Sequence, residues 1–175
     1  MKKQLFIACS LCGAMLVNAE NIEVTSFKYA GPYTLMQPYQ VDSVDVNSKP
    51  WKAESLLDTP VSFALLDGAE VKQAGQLTLS SDYALHLMGF VLENTHYGQV
   101  SLKVEGASHY QVYVDGKRVE DTSLSLDPAT HQVVIKYLSV PGEQSVPKVS
   151  LDAKQDGVFS LRTEQGRLFT LADVL

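Results

Sequence analysis

Several short stretches of the chain alternate polar and apolar residues with a period of two. Val100-Ser101-Leu102-Lys103-Val104-Glu105 alternates and stops at Gly106, and Gln76-Leu77-Thr78-Leu79-Ser80 repeats the pattern. Successive side chains of an extended chain point to opposite faces, so each stretch predicts a strand with one buried face. Residues 132–138 and 148–152 continue the series, and 158–162 follow a turn signal at Asp156-Gly157. Val61-Ser62-Phe63-Ala64-Leu65-Leu66, closed by Asp67-Gly68, reads as one more strand. Short strands separated by turn residues predict an all-β chain, a sandwich or barrel. The expected architecture is an antiparallel β-sandwich of the jelly-roll or galactose-binding-like kind.

The sharpest local signal is Tyr110-Gln111-Val112-Tyr113-Val114-Asp115-Gly116-Lys117-Arg118-Val119. A two-residue hairpin turn needs positive φ at both central positions, and Asp-Gly meets that need. In this register Tyr110, Val112 and Val114 share the core face, while Gln111 and Tyr113 share the opposite one. Helix is scarce. Ala53-Glu54-Ser55-Leu56-Leu57-Asp58 predicts a single turn that Pro60 closes. The remainder of 20–60, broken by Gly31-Pro32, Pro38 and Pro50, reads as an extended lead segment. The sandwich domain is expected over residues 61–163.

The first residues follow a different rule. Met1-Lys2-Lys3 is basic, the chain is then apolar from Leu5 to Val17 with Ser10 as its one clearly polar interruption, and Val17-Asn18-Ala19 ends the run. Basic start, short apolar centre and small-residue exit are the layout of a secretory signal peptide over 1–19, cut between Ala19 and Glu20. The run is shorter than the roughly 20 residues needed to cross a bilayer. Cys9 and Cys12 both lie inside it. Leu11 is too large for lipoprotein processing at Cys12, so no membrane anchor is expected, and the mature chain has no cysteine for disulfide or thiolate chemistry. The expected destination is the periplasm or the extracellular space.

Cleavage leaves 156 residues with 12 basic and 20 acidic side chains, a net charge of −8. That length is typical of one domain. With no basic stripe, an acidic, mixed surface repels nucleic acid, which is excluded as a partner.

Catalytic signatures are missing. No G-x-S-x-G nucleophile elbow, G-x-x-x-x-G-K phosphate loop or G-x-G-x-x-G turn occurs. The four histidines are His86, His96, His109 and His131, and none stands two or four residues from another. They read as partly exposed strand and loop residues, with no metal and no cofactor expected. Asp42, Asp45 and Asn47 form an oxygen-rich loop lacking the glycine and closing glutamate of a calcium site, so they read as turn chemistry. Sandwiches that bind sugars stack rings on aromatic side chains, which makes Trp51, the single tryptophan, and Tyr113 the candidate ligand-stacking residues.

The C-terminal stretch 167–175 reads as a strand followed by a helix start, with Thr170 as N-cap and Asp173 three residues on. A helix that short cannot stabilise itself, so residues 164–175 read as the start of a truncated following domain. The opening Ile22-Glu23-Val24-Thr25-Ser26-Phe27-Lys28-Tyr29-Ala30-Gly31-Pro32-Tyr33, the later Glu54-Ser55-Leu56-Leu57 and this C-terminal stretch resemble the N-terminal region of exported serine peptidases. The family is that of prolyl oligopeptidase, in its dipeptidyl-peptidase-like group from Bacteroides-type bacteria. The resemblance implies a following β-propeller and a C-terminal hydrolase domain that carries the catalytic residues. No catalytic residue then belongs to this piece, which is expected to be an accessory domain. Its expected partners are the propeller and hydrolase domains, or a second copy in a homo-oligomer. The alternative is a carbohydrate-binding β-sandwich module.

Overall fold

The computed structural model describes residues 20–35, 44, 48–49, 52–77, 80–143, 145–154 and 159–162. These residues form an all-β sandwich of two antiparallel sheets. The smaller sheet has the order β1 (Glu20–Glu23), β10 (Lys148–Ala153), β5 (Gly98–Glu105), β8 (Ser123–Leu126). The larger runs β3 (Glu70–Gln73), β2 (Ser26–Thr34), β4 (Ala84–Asn94), β9 (Thr130–Ser139), β6 (His109–Val114), β7 (Lys117–Val119). A further strand, β11 (Phe159–Arg162), lies beside the C-terminal half of β4, on the edge that β2 leaves open.

The alternation read from the sequence sets the smaller sheet. Val100, Leu102, Leu124, Leu126, Val149 and Leu151 point inward, and Gln99, Lys103, Ser123, Ser125 and Asp152 face solvent. The larger sheet is buried on both faces at its centre, so β4 and β9 read as almost continuous apolar runs. Its inner face supplies Phe27, Tyr29, Met88, Phe90, Leu92, Val133 and Ile135 to the main core. The expected hairpin is present: Asp115 has φ 50° and Gly116 φ 76°, and Val112 and Val114 face the core. The expected strands 100–105, 132–138, 148–152 and 158–162 also correspond to strands, although residue 158 lies outside the described residues.

Two expected strands are corrected. Residues 61–66 contain a 3-10 helix instead, η2 (Phe63–Leu66), which follows η1 (Ala53–Asp58). Ser62 accepts a hydrogen bond from the Ala64 amide at 3.3 Å, and Phe63 and Leu66, three apart, bury together against the outer face of the larger sheet. A short apolar run satisfies either pattern, and here the cap decides it. Gln76 ends another 3-10 helix, η3 (Ala74–Gln76); Thr78 and Leu79 lie outside the described residues. The boundary at residue 61 also moves, because the lead segment supplies β1 to one sheet and β2 to the other. Between Ala30 and Tyr33 the β2 register shifts by one residue. Gly31 allows this with φ 130°, where a Cβ would stand 3.0 Å from the Leu85 carbonyl oxygen. The shift carries Tyr33 to the outer face, where it packs against both outer-face clusters.

Candidate functional site

The outer face of the larger sheet is roofed by η1 and η2. The C-terminal carbonyls of a helix have no partner within it. Lys136, buried in the middle of β9, donates to the Leu57 and Thr59 carbonyls at the end of η1, at 2.5 and 2.6 Å. Lys28, equally buried on β2, donates to the Asp67 carbonyl that follows η2, at 2.9 Å. Each lysine thus holds one turn onto the sheet. Burial lowers the pKa of both, against the raising effect of Asp58 on Lys136 and of Asp67 on Lys28.

Beside the Lys136 clamp lies a cleft of about 530 Å³, between the η1–η2 connection and the β6–β7 hairpin. Its polar walls are Asp58, Gln111, Tyr113, Arg118 and Lys136. The Tyr113 hydroxyl donates to Gln111 Oε1 at 2.9 Å, and Gln111 Nε2 donates to Asp58 Oδ1 at 3.2 Å. Arg118 Nη1 stands 3.9 Å from the same carboxylate oxygen. The Tyr113 ring meets Phe63 edge-on, with centroids 4.8 Å apart. Burial raises the Tyr113 pKa, so its hydroxyl is a donor at neutral pH.

Of the residues singled out from sequence, Tyr113 stands in this cleft, and Trp51 and Ala19 lie outside the described residues. Asp42, Asp45, Asn47 and the C-terminal stretch 163–175 also lie outside them. Glu20 opens β1 and pairs with Ala153. Tyr110 faces away from Tyr113, toward the main core.

The histidines require a correction, since His86 and His131 are buried. His86 Nδ1 lies 2.6 Å from the Tyr29 hydroxyl and Nε2 3.0 Å from Ser139 Oγ, and its ring stacks on Tyr137 at 4.5 Å. Ser139 Oγ also donates toward the Asp82 and Ala84 carbonyls, so its oxygen accepts from His86 Nε2–H and Tyr29 donates to Nδ1. The imidazole is therefore neutral, and burial lowers its pKa to about 4. A serine–histidine pair of this kind resembles nucleophile geometry, but the serine proton is directed at backbone carbonyls, and the pocket beside it holds about 10 Å³. His131 lies at the opposite end of β9, and His109 and His96 are elsewhere, near Glu54 and Thr95. Among the described residues, no group of three His, Cys, Asp or Glu side chains is placed to hold a metal ion.

Sequence reasoning reached Tyr113 and missed Asp58, Gln111, Arg118 and Lys136. A signal was present for one of them: Lys136 interrupts the apolar run Val133-Val134-Ile135 and Tyr137-Leu138. Comparisons with known families, with curated proteins and with solved structures give no match for this chain.

Proposed function

We propose that this chain is an exported, non-catalytic β-sandwich serving as the N-terminal accessory domain of a serine peptidase of the prolyl oligopeptidase type. The observation that carries the non-catalytic reading is how the buried ionisable groups are employed. Lys28, Lys136 and His86 are each engaged by the fold's own carbonyls or hydroxyls. Export is supported by the signal-like pattern over 1–19. The peptidase parent rests on the resemblance of 22–33, 54–57 and 167–175. An antibody against residues 20–175 tests it on the native secreted protein. A band several times larger than this chain, with proline-directed peptidase activity in the intact protein, is the expected result. A band matching 156 residues overturns the parent.

The outer-face cleft favours a second reading, a carbohydrate-binding module. Its volume falls within the roughly 300–1,000 Å³ of small-ligand sites. Its lining combines aromatic rings with an amide, a carboxylate and a guanidinium, the groups that meet sugar rings and hydroxyls. Retention on a polysaccharide affinity gel that Tyr113→Ala abolishes supports this reading, and no retention on any polysaccharide rejects it.

A further inference from the structure

We infer that the outer-face cleft takes a carboxylated sugar, a uronic acid unit whose carboxylate is received by Arg118 and Lys136. The inference rests on the carbohydrate-binding reading and adds the chemistry of the ligand. The cleft holds two cations and one carboxylate, a local excess of positive charge on a chain whose net charge is −6. Neither cation is saturated. At 3.9 Å from Asp58, Arg118 makes an ion pair too long to be a hydrogen bond, and its guanidinium donates to no other described residue. That leaves a planar donor fork, the geometry that receives a carboxylate through two parallel bonds. The Lys136 ammonium has three N–H groups, of which the Leu57 and Thr59 carbonyls take two.

The remaining groups suit the rest of such a ligand. Gln111, Tyr113 and Asp58 already form a hydrogen-bonded chain along one wall, which offers donors and acceptors to ring hydroxyls. Phe63 and Tyr113 supply the apolar surface. A free peptide carboxylate would use the same fork, but its backbone offers this wall one donor and one acceptor per residue in place of a ring of hydroxyls. Asp58 has a second consequence. It competes with an incoming carboxylate for Arg118, so it sets how strongly acid is preferred over neutral sugar.

The test is calorimetric titration of the full chain with tetragalacturonate and with the uncharged galactose tetramer of the same linkage. The acidic sugar is expected to bind more tightly, and raising the salt is expected to weaken it. Arg118→Ala is expected to weaken the acid about tenfold or more, Arg118→Lys to recover part of the loss, and Asp58→Asn to strengthen it. Arg118 is about half exposed, and a thermal melt matching the unmodified chain confirms that its replacement leaves the fold intact. Equal binding of the two tetramers, unchanged in Arg118→Ala, overturns the acid preference and leaves the carbohydrate reading standing. Binding of neither tetramer, with retention of some other polysaccharide, also overturns the inference alone. Competition of equal strength by an N-acetylated tripeptide with a free carboxylate overturns it in favour of peptide recognition.

Discussion

The larger sheet is covered on both faces, by different chemistry on each. Its inner face meets the smaller sheet through Phe27, Met88, Phe90, Leu92 and Ile135, against Val100, Leu102, Leu124, Val149 and Leu151. Its outer face meets η1 and η2 through Leu85, Leu87, Val91, Val134 and Leu138, with Lys28, Gln111 and Lys136 set among them. The covering element explains the difference. A facing sheet satisfies its own backbone groups in its ladders, so apolar contact suffices. A short 3-10 turn arrives with unpaired C-terminal carbonyls, and cations from the strand beneath are the natural partners. The lysines sit on strands but serve the turns.

The comparison breaks most visibly on the inner side. Phe90→Ala removes a fully buried ring, and a loss of about 3–5 kcal/mol is expected in urea unfolding. A loss under about 1 kcal/mol would mean the two sheets are not held by this layer. His86, at the rim of the same face, gives a pH effect. Burial holds its folded pKa at about 4, below the ordinary value of 6.5, so the unfolded chain takes up the proton first. Stability is therefore complete above about pH 6.5 and falls as the pH drops toward 4, by on the order of 3 kcal/mol. His86→Gln should remove that increment from the acid limb of a stability–pH curve; an unchanged limb would show that other groups govern it. On the outer side, Lys136→Met strands the Leu57 and Thr59 carbonyls, at about 2 kcal/mol. Its signature is local: amide exchange should quicken at Thr59, whose N–H bonds the Leu56 carbonyl, while β4 and β9 stay protected. Equal acceleration in both regions would deny the lysine its clamping role.

The same contrast decides what was legible in the sequence. Strands with one wet face advertise themselves, so β5 and β10 were readable from alternation, and the Asp115-Gly116 turn from its chemistry. β4, the longest strand, has no alternation to read, because residues of both its faces are buried. Phe63–Leu66 reads as a strand from sequence because four apolar residues fit a strand as well as a turn, although only Phe63 and Leu66 are buried, and the Ser62 cap separates the two. Of the candidate cleft, Tyr113 could be placed on its face from the hairpin register. Asp58 and Lys136 are 78 positions apart, and no local pattern records that η1 folds back over β9. Side-chain spacing along the chain reports faces, and the pairing of distant faces is the part it omits.

The smallest expected effect comes from His131, at the opposite end of the inner face from His86, and it carries the opposite sign. Its Nδ1 stands 2.7 Å from Asp115 Oδ2, its Nε2 stands 3.0 Å from the Asp127 carbonyl, and Asp115 Oδ1 accepts from the Gln132 amide. The ring thus ties the hairpin turn to the start of β9. Burial lowers its pKa, but the bonds to Asp115 and Asp127 and the charges of both carboxylates outweigh burial, and the net shift is upward. A raised pKa means the protonated ring stabilises the fold. That stabilisation is complete below about pH 6.5 and is lost as the pH rises through the folded value. Asp115 is about half exposed, so solvent screening holds the contribution under about 1 kcal/mol. A histidine proton resonance that titrates above 6.5 and returns toward 6.5 in Asp115→Asn is the expected result, while the His86 resonance stays near 4 in both proteins. If His131 titrates below 6.5, burial outweighs its partners, and the two ends of the core then respond to acid in the same direction.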